Sequence, residues 1–185
     1  MHATLFVAID KSGEMMSPFL VFKGTPNGRI EKKELVTFSK DAFYCCQKNA
    51  WCDEKVMIHW IDTAFKAWVQ MRRAQYPGVT PLLVMDAHTV HFLRSVVNRI
   101  ENMGCDVLFI PAGRTYLCQP VDVGMNRPLK RELKLQWEAW MEEQGTDLTP
   151  PSREHIANWV IHSYHNITKE TVQNAWKKKG FSWCG

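Results

Sequence analysis

Three features of the sequence predict an α/β fold. Short β-rich runs alternate with longer stretches whose apolar residues recur at three- and four-residue steps. The run Leu82–Met85 is apolar with no alternation, as a strand covered on both faces would be. An amphipathic helical stretch and a further β-rich run, "CDVLFIP", follow it within one crossover length, which predicts parallel pairing.

The elements follow in order. "TLFVAI" and "FLVFKG" flank "DKSGE", whose Asp, Ser and Gly favour a turn, so residues 4–23 read as an antiparallel hairpin. Pro18 belongs at the start of the second strand, because it has no N–H to give to a ladder. Residues 24–50 read as an irregular excursion. Asp53 is placed to cap a helix running to about Arg73, with Met57, Trp60, Ile61, Ala64, Phe65 and Trp68 as its buried stripe. "YPGV" stops it. Leu82–Met85 is expected to be a central, doubly covered strand. Leu93, Val96, Val97, Ile100 and Met103 form the next helical face, ended by Gly104. A long basic helix then carries Leu129, Leu133, Trp137, Trp140 and Met141 at core spacing, and Ser152 and Thr168 each cap a helix after it.

At 185 residues the chain has the size of one ordinary domain. Hydrophobic residues make up 45% and charged ones 23%, which excludes a disordered chain. No apolar run is long enough for a membrane span, and "MHATLFVAIDKSG" has neither the basic start nor the apolar core of a signal peptide. The expected setting is intracellular, not secreted, with the six cysteines as reduced thiols. "CCQKNAWC" has no CxxC and no matching second pair, so no structural zinc site is expected there. The net charge of +4 is modest, yet Arg127, Lys130, Arg131 and Lys134 cluster in one segment and Lys177–Lys179 in another. Such clusters suit a polyanion, or simply a solvated helix face. His59, and the group His155, His162 and His165, read as surface or boundary residues. The tryptophans read as packing residues, and so does Cys118.

In open α/β sheets ligands gather beyond the carboxyl ends of the strands. Asp86 lies at one such end, and the loop after the next strand, "PAGRTYLCQPVDVG", carries Asp122 to the long basic helix. Two carboxylates on one rim would repel by about 4 kcal/mol at roughly 4 Å and an effective dielectric of about 20, so a cation between them would keep both ionised. Oxygen ligands suit Mg²⁺ or Mn²⁺, and such pairs support in-line phosphoryl displacement. On position alone a second reading stands beside this one: a turn aspartate and a helix-cap aspartate.

The segments "LLVMDAHTVHFL", "FIPAGRTYLCQPVDVGMNRPLK", "PFLVFKG" and "NAWCDEKVMIHWI" together resemble the DDE superfamily endonuclease domain, found in pogo, Tigger and Jerky-type transposases and in centromere protein B. The resemblance runs from about Thr4 to Trp183 and includes the signature GxTxxxQPxD. It implies a ribonuclease-H-like mixed sheet with flanking helices and a helical C-terminus: a single domain over 1–185, with a core over 4–144 and C-terminal helices over 150–185. By the same resemblance Asp86 matches the second catalytic acid and Asp122 the third, with 35 residues between them. His91 matches a histidine that commonly follows the second acid, and Thr115 and Gln119 match the loop that shapes the third. The implied cofactor is Mg²⁺ or Mn²⁺, the implied partner DNA, and the implied location the nucleus. Arg114, Arg127, Lys130 and Arg131 are the expected phosphate contacts.

Two departures bear on activity. Asp86 is followed by Ala87 where the family usually has Ser or Asn. The family's first acid lies in an Asp-Glu-Thr motif on a strand before the hairpin, and no Asp-Glu-Thr occurs in this sequence. Asp10, at the hairpin turn, matches an ordinary polar turn residue. The expectation is therefore that the first catalytic strand is absent and that cleavage is impaired. The sheet would then be marginal, rearranged, or completed by a strand from an upstream segment or a partner. A non-catalytic, domesticated module that binds nucleic acid or protein is the alternative.

Overall fold

Strand β1 (Ala3–Phe6) pairs antiparallel with β2 (Phe19–Lys23), matching Ala3 to Phe22 and Phe6 to Phe19. This is the expected hairpin, and Asp10 holds its turn: Oδ1 accepts from the Ser12 hydroxyl at 2.6 Å and from the Glu14 amide at 3.1 Å. The fold is that of a computed structural model, which describes residues 2–114, 119–146 and 149–177. It divides the chain into two compact units, one formed by Met1–Ala50 with Pro120–Gly185 and the other by Trp51–Gln119.

In the first unit β2 is the middle strand and its apolar residues are fully buried. Its second neighbour is β3 (Phe43–Gln47), which runs parallel to it. Residues 24–50 are thus not the irregular excursion the sequence suggests. A π-turn at Ile30–Glu34 and a 3-10 turn at Leu35–Thr37 lead to a real strand. "FYCCQ" carries no polar alternation, and its partner β2 lies across a long connection, so no local pattern marks it. Phe22, Phe38 and Tyr44 form a ring cluster above this sheet.

Two helices of the same unit close that core. In α4 (Asn126–Gln144) the core position is Leu129, with Leu133 packed against it; in α5 (Arg153–His165) they are Ala157, Val160, Ile161 and Tyr164. A capping box starts α5: the Ser152 hydroxyl accepts from the His155 amide at 3.1 Å, and His155 Nδ1 accepts from the Ser152 amide at 3.3 Å. Arg153 pins the start of α5 to Glu34 through two contacts of 3.1 Å. Thr168 caps α6 (Lys169–Lys177), accepting from the Thr171 amide at 3.2 Å. Trp137 departs from the core role its spacing suggests. It is exposed and packs tilted against Trp140 and edge-on against Trp159 at the helix–helix seam.

The second unit is built on one long rod. Asp53 accepts from the Val56 amide at 3.0 Å and starts α1 (Glu54–Trp60). A π-turn over Ile61–Phe65 carries it without a break into α2 (Lys66–Gln75). Gly78, at φ +81°, serves the reversal that follows. Strands β4 (Leu82–Met85) and β5 (Asp106–Phe109) are parallel, with α3 (Arg94–Glu101) as their crossover. Asp62 holds α3 through two contacts with Arg99 of 2.6 and 2.7 Å, and Glu54 accepts from Ser95 at 2.6 Å. Val96 and Ile100 are the fully buried positions of α3.

One expectation about β4 fails. It is not central and doubly covered: it pairs with β5 only, and Leu82 is 46% exposed. Among the described residues no strand lies on its other side, nor on the outer side of β1. The architecture is α/β with two small sheets, one mixed and one parallel. Among the described residues no helix is long and apolar enough to cross a membrane.

Candidate functional site

Asp86 is the first residue beyond β4, at the end where the parallel pair delivers its loops. Its carboxylate is folded back on that loop. Oδ1 accepts from the His88 amide at 3.4 Å and lies 2.8 Å from His91 Nδ1. The same Nδ1–H also points at the Asp86 carbonyl, 3.1 Å away. One ring hydrogen thus lies between two oxygens of one residue, so Nδ1 carries a proton. The sequence places His91 there because a 3-10 turn, Thr89–Phe92, follows directly and returns its side chain towards the strand end.

The electrostatics agree with that geometry. The hydrogen bond from His91 holds the Asp86 carboxyl below its usual range, against the opposing pull of partial burial. Burial works against a charged His91 ring. The hydrogen bonds to Asp86 and Cys52 outweigh it and push the imidazole up to about 9. At neutral pH the pair is an ion pair, with Asp86 ionised.

Cys52, just before the cap of α1, completes this corner. Its thiol and ring nitrogens of His88 and His91 lie within 4.8 Å of one another. Sequence reasoning considered Cys52 only with Cys45 and Cys46, and found no paired spacing. The signal that could have found it is the His-x-x-His step at 88–91, which puts two imidazoles on one short turn.

Asp122 lies in the other unit. It is exposed, in a π-turn (Val121–Met125) that runs into α4, and its Oδ1 accepts from the Asn126 side chain at 2.7 Å. Gly124 seats this turn on α6. A methyl group at that position would overlap the Ala175 side chain and backbone, so only glycine permits the approach. Met125 is fully buried there against Val172 and Ala175.

Arg127, Lys130 and Arg131 are exposed on α4 at spacings that share one face, opposite the buried Leu129. Lys134 continues that stripe and pairs with Glu138 at 3.2 Å, while Arg131 pairs with Glu132 at 3.1 Å. Arg114 is exposed in the Trp51–Gln119 unit. Gln119 is half-buried, and its Oε1 is buried without a hydrogen-bond partner among the described residues. Thr115 lies outside the described residues, as does Cys118. The structure thus joins Asp86 to His91 within one unit, and groups Arg127, Lys130 and Arg131 within the other.

The sequence matches the DDE superfamily endonuclease family over residues 2–176. Among curated proteins it is similar to "Pogo transposable element with KRAB domain" of Homo sapiens, 24% identical over 183 residues, covering 95% of this chain and 28% of that protein. The Mus musculus protein of the same name is 22% identical over 186 residues, covering 96% of this chain and 29% of that one. A third relative, "MFS-type transporter clz9" of Cochliobolus lunatus, is 26% identical over 136 residues, covering 74% of this chain and 14% of that protein. The chain therefore spans less than a third of the length of each of these relatives. No solved structure matches it. A match over nearly the whole sequence, with Asp86, His91, Gln119 and Asp122 all inside it, makes this chain a member of the DDE superfamily endonuclease family.

Proposed function

We propose that the chain is a transposase-derived endonuclease module that acts on DNA in the nucleus, with Asp86 and Asp122 as its cation-binding carboxylates. The observation that carries the reading is Asp86, an ionised carboxylate at the carboxyl end of a parallel strand, in a chain matched to the family over residues 2–176. Residues 1–185 count here as one ribonuclease-H-like domain, with the core over 4–144 and the helices over 150–185.

The donor chemistry fits Mg²⁺ or Mn²⁺. Among the described residues the contacts of the Asp86 carboxylate fall on Oδ1, and that of Asp122 also falls on its Oδ1, which leaves Oδ2 of each carboxylate as a hard oxygen donor. When bound, such a cation supplies activation of the attacking oxygen and stabilisation of the leaving one at phosphorus. The chain's own residues do the rest. His91 keeps Asp86 ionised and oriented. Gly124 fixes the turn that carries Asp122. Gln119 stands in the segment just before it. Arg114, Arg127, Lys130 and Arg131 draw the phosphate backbone by charge, without reading sequence.

With two acids assigned and no Asp-Glu-Thr motif in the sequence, cleavage by these 185 residues is expected to be slow. A second reading, a non-catalytic nucleic-acid-binding or protein-binding module, is favoured by the commitment of Asp86 Oδ1 to His91. Nicking of supercoiled DNA with Mg²⁺ or Mn²⁺ separates the two. Cleavage abolished by Asp86→Ala supports the enzyme. Equal behaviour of parent and variant, with DNA binding that survives both aspartate substitutions, supports the module.

A further inference from the structure

Cys52, His88 and His91 bring one sulfur and two imidazole nitrogens within 4.8 Å of one another, all inside the Trp51–Gln119 unit. We propose that these three side chains form a Zn²⁺ site, distinct from the carboxylate pair and independent of the endonuclease reading. The donor set argues for the metal. A thiolate with two imidazoles is a borderline-soft set that suits Zn²⁺ and rejects Mg²⁺, which takes oxygen.

A second observation points the same way. His91 gives its Nδ1–H to Asp86, contacting Oδ1 at 2.8 Å and the carbonyl at 3.1 Å. Nε2 is the ring nitrogen that remains; it gives up its proton when the metal binds, and the Cys52 thiol lies within 4.8 Å of the His91 donor atom. A ligating histidine held by a carboxylate through its other nitrogen is the arrangement that orients the ring and raises its basicity in zinc sites. Asp86 therefore supports the metal through His91 with Oδ1, and keeps Oδ2 for other use.

The distances ask for little. Bonds of about 2.0–2.3 Å at tetrahedral angles put ligand atoms about 3.3–3.8 Å apart, so closing the site shortens their separations by at most about 1–1.5 Å. His88 is exposed and can supply most of that movement by rotation of its side chain. With three protein ligands, a fourth position would be left for water. The metal would join two separate segments, tying the residue before the α1 cap to the turn after β4.

Cobalt reports such a site directly. Co²⁺ titrated into the metal-free full chain should give, at about one equivalent, a thiolate-to-cobalt charge-transfer band that Zn²⁺ bleaches and excess Mg²⁺ does not. Cys52→Ser should remove the band, and Cys105→Ala should leave it. His88→Ala replaces an exposed side chain and so should keep the fold, yet weaken Zn²⁺ binding by more than about 100-fold. Asp86→Asn, which loosens the support of His91 and the Oδ1 contact with the His88 amide, should weaken it by about 10- to 100-fold. The absence of a thiolate band at one equivalent would overturn the proposal. So would a band that survives Cys52→Ser, or a Zn²⁺ affinity unchanged in His88→Ala. None of these readouts involves DNA, so failure here leaves the endonuclease reading to its own test.

Discussion

Asp86 and His91 depend on each other, and the dependence has a sign. The folded pKa of His91 is raised from 6.5 to about 9, so the stability it contributes is complete below about 6.5 and is lost as pH rises through about 9. Asp86 is shifted the other way. Its contribution is present above its ordinary value of 3.8 and is lost as pH falls through its lowered folded value. The pair is therefore fully engaged across the neutral range. In the metal-free chain, NMR titration should place the His91 transition near 9, and Asp86→Asn should return it towards 6.5. A parent His91 that titrates near 6.5 would show that the pair does not form. Cys46 gives a second check at this scale. Burial, with help from Glu31 and Glu34, pushes its thiol up to about 11, so it should alkylate far more slowly at neutral pH than half-buried Cys52 in the metal-free protein. Equal rates by mass-spectrometric mapping would contradict that burial.

At the scale of elements, what could be read in the sequence was what local chemistry decides. The Asp53 cap, the Met57 and Trp60 stripe, the Gly104 stop and the Ser152 cap all announce themselves through neighbours within a turn. Strand β3 did not, because its reason to exist is β2, which lies across a long connection. The exposure of Leu82 on β4 was hidden for a related reason. An apolar run states a preference for burial and says nothing about whether a cover is supplied. The corner of Cys52, His88 and His91 escaped for the same cause, since the cysteine and the histidines meet only in three dimensions. Two predictions belong here. In α5, Ser152→Ala removes one half of a capping box and should cost about 0.5–2 kcal/mol by chemical denaturation; no loss would mean the cap is idle. Gly124→Ala forces a methyl into Ala175 and should cost about 1–3 kcal/mol, while releasing the Asp122 turn from α6. A neutral Gly124→Ala would show that the seat is loose.

Across the whole molecule, stability should be uneven. The apolar residues of β2 are fully buried, whereas β4 and β5 expose Leu82 and Leu108 and, among the described residues, pair only with each other. Hydrogen exchange should therefore find slow amides in β2 and fast ones in β4. Equal protection would mean that something covers the second sheet. The same uneven burial explains why the site was only partly legible. Both aspartates were visible as residues that end a strand and start a helix, but the joint role proposed for them rests on long-range assembly that no local pattern encodes. The central claim is that Asp86 and Asp122 serve one reaction on DNA, and single-turnover nicking of supercoiled DNA with Mn²⁺ tests it most directly. The account predicts that Asp86→Ala, Asp122→Ala and the double variant all fall to the same background, because groups that act as one unit lose their effect together. Losses that add from one variant to the next, or nicking by the double variant at the parent's rate, would contradict it.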